Sequence, residues 1–157
     1  MRHNCRVGNA QTNLQATDTV DELTVGVAAL FRTIEALRSR DAEAAQLTPT
    51  EYRALARICE IGQKTPKKLA ISMGMSTGAI TAVTDRLVAR GLLERVANEN
   101  DRRSVILQST PEGYAIMARS YGVYRNAVRE AVEHLPEPHL AELCDALERM
   151  AAVLDTK

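Results

Sequence analysis

Apolar residues recur with a helical period over most of this chain, and two short strand-like runs interrupt the pattern near its middle. From Asp18 onward, Val20, Leu23, Val27, Leu30, Phe31, Ile34 and Leu37 keep the 3.6-residue spacing of one helix face, which predicts a first helix to about Arg40. Residues 1–17 carry no such period and are expected to form a flexible tail. Thr48-Pro49-Thr50-Glu51 reads as a capping box with proline at the first helical position. The helix it opens carries Tyr52, Leu55, Ile58 and Cys59 and ends near Gly62. Thr65-Pro66 repeats the start signal, Leu69, Ala70 and Met73 face inward, and Gly74 supplies a left-handed stop. Only Met75 separates that stop from Ser76, a cap for the next helix, whose packing stripe is Ile80, Val83, Thr84 and Leu87 and whose end is Gly91.

Leu92–Val96 and Ser104–Gln108 then look like strands, joined by the polar, turn-prone ANENDRR. Thr110-Pro111-Glu112 opens a long helix through Ile116, Tyr121, Tyr124, Val128 and Val132, which Pro136 and Pro138 should break. A last helix is expected from about His139, with Leu140, Leu143, Leu147, Met150, Val153 and Leu154 on one stripe. Two helices joined as tightly as those meeting at Gly74 must cross steeply, as in a helix-turn-helix. The fold expected is mainly α (α+β): a winged helix-turn-helix over 48–110, with flanking helices at 18–47 and 111–157. The flanking stripes exceed what a module of about 60 residues needs to cover itself. A symmetric dimer is one way to bury them; packing into a monomeric helical domain is the other.

Composition narrows the class. Aromatic residues make up 3% of 157 residues, so the core is aliphatic. No run nears the ~20 apolar residues of a membrane span. The N-terminus lacks the apolar stretch of a secretory signal, so a cytoplasmic protein is expected. Cys5, Cys59 and Cys144 are far apart and match no metal-ligand spacing. Cys59 and Cys144 read as small core residues, while Cys5, flanked by Arg2, His3 and Arg6, is a candidate redox-active thiol. No glycine-rich phosphate loop, metal cluster or Ser/His/Asp set is evident, with His3, His134 and His139 confined to a tail and a helix junction. Neither a cofactor nor an enzyme activity is expected.

Formal net charge is zero, which by itself argues against nucleic acid, but the distribution argues for it. Residues 64–103 carry +4, against −1 before them and −3 after them. The helix after Gly74 begins with small polar residues, letting its positive dipole end approach phosphates in a major groove. Thr77, Ala79, Thr81 and Ala82 are candidates to face base edges, with Ser76 at the helix start. None makes the bidentate contacts of strong direct readout, so methyl contacts, water and DNA shape would contribute. Arg102 and Arg103, at the hairpin tip, are placed to enter a minor groove, and Asp101 to hold an arginine or the loop backbone. Thr65, Lys67, Lys68 and Arg86 are candidate phosphate contacts; Lys67 and Lys68 fit solvated surface charges equally well.

These residues resemble the multiple-antibiotic-resistance regulator (MarR) family of winged-helix proteins. The likeness lies in L-x-x-x-M-G-M-S-T-G-A-I-T-x-x-x-D-R-L-x-x-R-G-L-L-E-R from Leu69 to Arg95 and D-R-R-S-V-I-L-x-x-T-P-E-G from Asp101 to Gly113. It spans about two fifths of the chain, with the Asp101/Arg103 pair most typical. It implies a single MarR-like domain over 18–157, a homodimer joined through the terminal helices, and double-stranded DNA as partner. It further implies repression from a pseudo-palindromic operator, relieved when a small aromatic or anionic effector enters a pocket between the dimerisation and DNA-binding regions. That pocket is not located by the sequence; His134, His139, Arg53, Arg57, Tyr114 and Tyr121 are candidates to line it. Ala82 and Asn98-Glu99-Asn100 depart from the family's usual residues, and no cysteine lies between Asp18 and Arg40, which disfavours peroxide sensing. A ligand-independent DNA binder and a protein-binding winged helix are the rival readings.

Overall fold

The computed structural model describes residues 10–62, 64–98, 101 and 104–155, of which 10–17 and 61 are described by backbone alone. The order is α1 (Ala10–Ala44), α2 (Pro49–Ile61), α3 (Pro66–Met73), α4 (Thr77–Ala89), β1 (Leu93–Ala97), β2 (Val105–Ser109), α5 (Pro111–Val132) and α6 (Glu137–Asp155). This is the mainly helical winged helix-turn-helix expected, with a two-stranded antiparallel hairpin as its wing.

Three helices begin at Thr-Pro for one reason. The threonine side chain accepts the backbone N–H three residues on, and the proline occupies a position whose N–H would be unpaired anyway. At α2 the box is reciprocal: Glu51 N–H donates to Thr48 Oγ1 at 3.2 Å, and Thr48 N–H donates to Glu51 Oε2 at 2.9 Å. Helix α5 ends at Val132, ahead of Pro136 and Pro138 as expected, and α6 begins at Glu137 with Pro138 in its first turn.

Other boundaries differ from expectation. Helix α1 starts at Ala10, because AQTNLQAT tolerates helix without needing an apolar stripe. It runs on to Ala44 and ends at Gln46 with φ 55, a left-handed stop where no glycine signals one. Leu47 N–H closes that turn on the Ala42 carbonyl at 2.8 Å. The strands sit one residue later than their apolar runs suggest, in a register pairing Leu93 with Ser109 and Ala97 with Val105. Lys64 adds an isolated bridge on the other side of β2, exchanging backbone hydrogen bonds with Leu107 at 3.2 and 2.8 Å, and no apolar pattern announces it.

The core lies inside the module. Leu55, Ile58, Leu69, Ile80, Leu87 and Leu107 are all fully buried, and the α4 stripe is the predicted Ile80, Val83, Thr84 and Leu87. Gly113 seats the first turn of α5 against the hairpin base; a methyl group there would overlap the Leu92 carbonyl oxygen and Ser109 Oγ. Cys59 is half-buried, its thiol donating to Ser109 Oγ at 3.3 Å, and burial pushes its pKa up. Cys144, in contrast to the core position expected, is exposed, because α6 buries none of its residues within the chain. Cys5 lies outside the described residues.

Candidate nucleic-acid interface

The turn between α3 and α4 is set by Gly74, at φ 64 and ψ 33, with Met75 N–H closing on the Ala70 carbonyl at 3.0 Å. Ser76 then caps α4, its Oγ accepting from Ala79 N–H at 3.2 Å. With one face of α4 buried, Thr77, Gly78, Ala79, Thr81, Ala82, Asp85 and Arg86 are left exposed. The Thr81 hydroxyl donates back to the Thr77 carbonyl at 2.8 Å, so its proton is spent inside the helix. What α4 offers outward is therefore small and largely methyl-bearing, a surface that can approach a groove floor closely. Thr65 caps α3 in the same way, accepting from Lys68 N–H at 3.3 Å, and Lys67 and Lys68 stand exposed on the first turn.

Arg86, expected at phosphate, donates from Nε to Glu51 Oε1 at 2.5 Å while its side chain stays 55% exposed. Glu51 is buried, and burial pushes its carboxyl up. The hydrogen bonds from Arg86 and Thr48 outweigh that and hold it below the usual carboxylate range. Two further arginines of the basic segment are also engaged. Arg95 on β1 pairs with Asp85 on α4 at 2.5 Å, bracing wing against helix. Arg90 donates to the carbonyls of Gln46 and Ala45 at 2.5 and 2.8 Å, where α1 ends. No local pattern announces these three links, since the partners of Arg86 and Arg90 are 35 and more than 40 residues distant and Asp85 and Arg95 are separated by a turn.

At the hairpin, Asp101 N–H donates to the Asn98 carbonyl at 3.2 Å, Ser104 N–H to the Asp101 carbonyl at 3.0 Å, and Asn98 Nδ2 to Ser104 Oγ at 2.7 Å. Asp101 thus takes part in closing the loop through its backbone. Arg102 and Arg103 lie outside the described residues.

Two cavities border the module. One of about 470 Å³ opens between α1 and α2, with Arg38, Arg53, Arg57 and Glu60 among its polar walls. The other, of about 180 Å³, reaches α5 and is walled by Ile34, Tyr52, Met117, Tyr121 and Tyr124. Tyr52 donates to Ser120 Oγ at 2.8 Å, and Tyr121 to Glu60 Oε1 at 2.5 Å; burial and the Glu60 carboxylate together push the Tyr121 hydroxyl pKa up. Of the residues considered for a pocket, Arg53, Arg57 and Tyr121 are brought to these cavities; Tyr114, His134 and His139 are not. Among the described residues no group of His, Cys, Asp and Glu is placed to hold a metal ion, and no helix is long and apolar enough to cross a membrane.

A capped helix α4, a tight glycine turn before it and a hairpin braced beside it define a winged helix-turn-helix protein. Residues 47–105 match the model of the MarR family. The multiple antibiotic resistance protein MarR of Salmonella typhimurium is 39% identical over 70 residues, 45% of this chain and 49% of that protein, so the chain spans about half the length of that relative. The protein of the same name from Escherichia coli K12 is 31% identical over 98 residues, 62% of this chain and 68% of that protein. A crystal structure of a mutant Escherichia coli MarR complexed with operator DNA superposes with a TM-score of 0.55 at 25% identity, covering 85% of this chain and 96% of that one. The chain belongs to the MarR family.

Proposed function

We propose that this chain is a DNA-binding transcriptional regulator, a homodimeric repressor of a pseudo-palindromic operator that a small aromatic or anionic molecule releases. The observation that carries the reading is the exposed face of α4, small and capped at Ser76, held beside the hairpin by the Asp85–Arg95 pair. In this reading Thr77, Ala79, Thr81 and Ala82 meet base edges. Thr65, Lys67, Lys68, Ser76 and Arg86 meet phosphate, and Arg102 and Arg103 enter the minor groove. The operator-DNA complex of a MarR relative supports DNA as the partner.

The dimer is supported by the terminal helices. A 19-residue helix with no buried residue, and only Leu140, Ala146 and Met150 half-buried among its apolar positions, gains little from packing in its own chain. Leu143, Leu147, Val153 and Leu154 on α6, with Val20, Leu23, Leu30 and Phe31 on α1, stand 39–64% exposed. The cavities beside Arg38, Arg53 and Arg57 suit a small anion, and the tyrosines an aromatic ring.

The test is a footprint on DNA upstream of the protein's own gene, together with selection from a genomic fragment pool, at two salt concentrations. Protection of a two-fold symmetric site that weakens steeply with salt is expected. Absence of any salt-dependent DNA affinity at low salt would overturn the reading. Arg103→Ala should cost at least ~1 kcal/mol of operator affinity and flatten the salt slope.

A further inference from the structure

We propose that Glu51 is a positioning residue for contact with the DNA backbone: its carboxylate holds Arg86 by Nε, so that the forked end of the guanidinium meets a phosphate in a fixed direction. The proposal rests on the reading above, that Arg86 meets phosphate, and adds the residue of α2 that acts through it.

Among the described residues, Glu51 is the only charged residue that is buried, at 5% exposure. A carboxylate in such a place needs a partner for each oxygen. Oε2 accepts from Thr48 N–H at 2.9 Å and Oε1 from Arg86 Nε at 2.5 Å. The capping bond makes the carboxylate part of the end of α2, so Oε1 is a fixed point on the surface of the module. These bonds hold the carboxyl below its usual range, which keeps it ionised at neutral pH.

Arg86 stands at the other extreme, with 55% of its side chain exposed against 7% for Glu51. Which nitrogen an arginine commits separates two roles. Arg90 places Nη1 and Nη2 on the carbonyls of Gln46 and Ala45, spending its forked end inside the fold. Arg86 is held through Nε alone among the described residues, which leaves the forked end for a second partner. That end matches the paired oxygens of a phosphate. Its place on α4 suits the contact, because Ala79, Ala82 and Arg86 follow the i, i+3, i+7 spacing of one helix face and all are exposed or nearly so. Arg86 lies about 6 Å beyond Ala82 along the axis. A helix whose first turns face base edges brings such a position up to the backbone at the rim of the groove. An untethered arginine would lose rotamer freedom on meeting phosphate, and Glu51 imposes that order before DNA arrives.

A carboxylate behind a phosphate-binding cation also repels the phosphate, so ordering and charge act in opposite directions. The sign of the Glu51→Gln effect tells which prevails. The amide keeps one acceptor oxygen for Thr48 and releases Arg86. A guanidinium serves carboxylate and phosphate on separate edges, whereas an ammonium is a point charge that must be divided between them. Glu51 should therefore help an arginine at position 86 and hinder a lysine.

The experiment measures the affinity of the full chain by fluorescence anisotropy across a salt series, on the duplex protected in the footprint and on a mixed-sequence duplex. Backbone contacts carry no sequence information, so both duplexes should respond alike. Arg86→Met should weaken binding to each and lower the salt slope by about one unit for each copy of the chain bound. Glu51→Gln should weaken binding by about tenfold in the parent, the worth of a charge-assisted hydrogen bond. It should cause no loss in a chain carrying Arg86→Met, and a gain in a chain carrying Arg86→Lys. A gain in the parent would mean that Glu51 only neutralises Arg86, and would overturn the proposal. An equal loss in the Arg86→Met chain would do so too, since Glu51 would then act through the fold. Unchanged affinity and slope in Arg86→Met would remove the phosphate contact itself. If Glu51→Gln fails to fold, Glu51→Asp, which keeps the charge but withdraws it by one methylene, should weaken binding in the parent and not in the Arg86→Met chain. A parent without salt-dependent DNA affinity would defeat the functional reading and this proposal with it. A parent that binds DNA but fails these comparisons would defeat only the role of Glu51.

Discussion

The winged module and the helices that flank it are built from similar proportions of apolar residues, yet they use them in opposite ways. Among the described residues, every buried apolar residue except Ala42 and Met117 falls between Leu47 and Leu107. Helix α6 has none, and along α1 the stripe of Val20, Leu23, Leu30 and Phe31 stays more than half exposed. The same helical period therefore encodes a finished core in one region and an unfinished surface in the other. Periodicity states that a face will be covered, without stating by what. The module answers within the chain; the flanks leave their apolar faces exposed, and this is the observation behind the dimer proposed above.

The largest effect that separates the two regions is truncation of equivalent leucines. Leu55→Ala, at a site with no exposure, should cost about 3 kcal/mol in urea unfolding through lost burial and the cavity left behind. Leu147→Ala, at 49% exposure, should cost no more than ~0.5 kcal/mol at dilutions where the chain is a monomer, and should weaken self-association measured by light scattering. Equal costs at high dilution would mean that α6 is packed within its own chain, and the contrast between the regions would be lost.

That contrast also explains what was legible in the sequence. The helix starts were, because Thr-Pro with a capping acceptor is local chemistry: Thr48, Thr65 and Thr110 each cap as their spacing predicts. The α4 face was legible because its buried stripe leaves Thr77, Ala79, Thr81 and Ala82 outward by elimination. The end of α1 was not, since Gln46 adopts a glycine-like conformation at a position where no glycine marks it, beside a carbonyl that meets a distant arginine. Nor were the links from Arg86, Arg90 and Arg95, which appear in the sequence only as positive charge. The excess that pointed to phosphate is partly spent on carboxylates and carbonyls, and a charge count cannot distinguish an arginine that holds the fold from one that meets a ligand.

Glu51 offers a smaller effect, confined to the module. Its carboxyl is held below the value of 4.5 it has when unfolded. Its contribution is therefore fully present above about pH 4.5 and is lost as pH falls through the lower, folded value. Glu51→Gln keeps a hydrogen-bond acceptor for Thr48 and removes the charge opposite Arg86. It should cost about 1 kcal/mol at pH 7 and flatten the stability profile below pH 4.5, as read in urea melts across pH. An unchanged acid limb would mean that Arg86 does not hold the carboxylate in solution.

The smallest expected change in stability belongs to the brace between wing and reading helix. Arg95 and Asp85 are exposed by 36% and 52%, so solvent screens their attraction, and Arg95→Ala should cost no more than ~0.5 kcal/mol of folding stability. On the proposed reading, in which α4 and the wing meet one DNA duplex, its consequence for binding should be larger than its consequence for folding, because the pair links those two surfaces. Strand β1 is also held by its ladder to β2 along Leu93–Ala97 and by Leu93 in the core, and the Arg95–Asp85 pair adds a direct side-chain link to α4. Arg95→Lys should recover less than full affinity, since a flexible ammonium does not reproduce the direction set by a planar fork. Operator affinity and urea stability measured on the same three proteins decide the matter: if affinity falls only in proportion to stability, the brace supports the fold and has no part in aligning wing and helix.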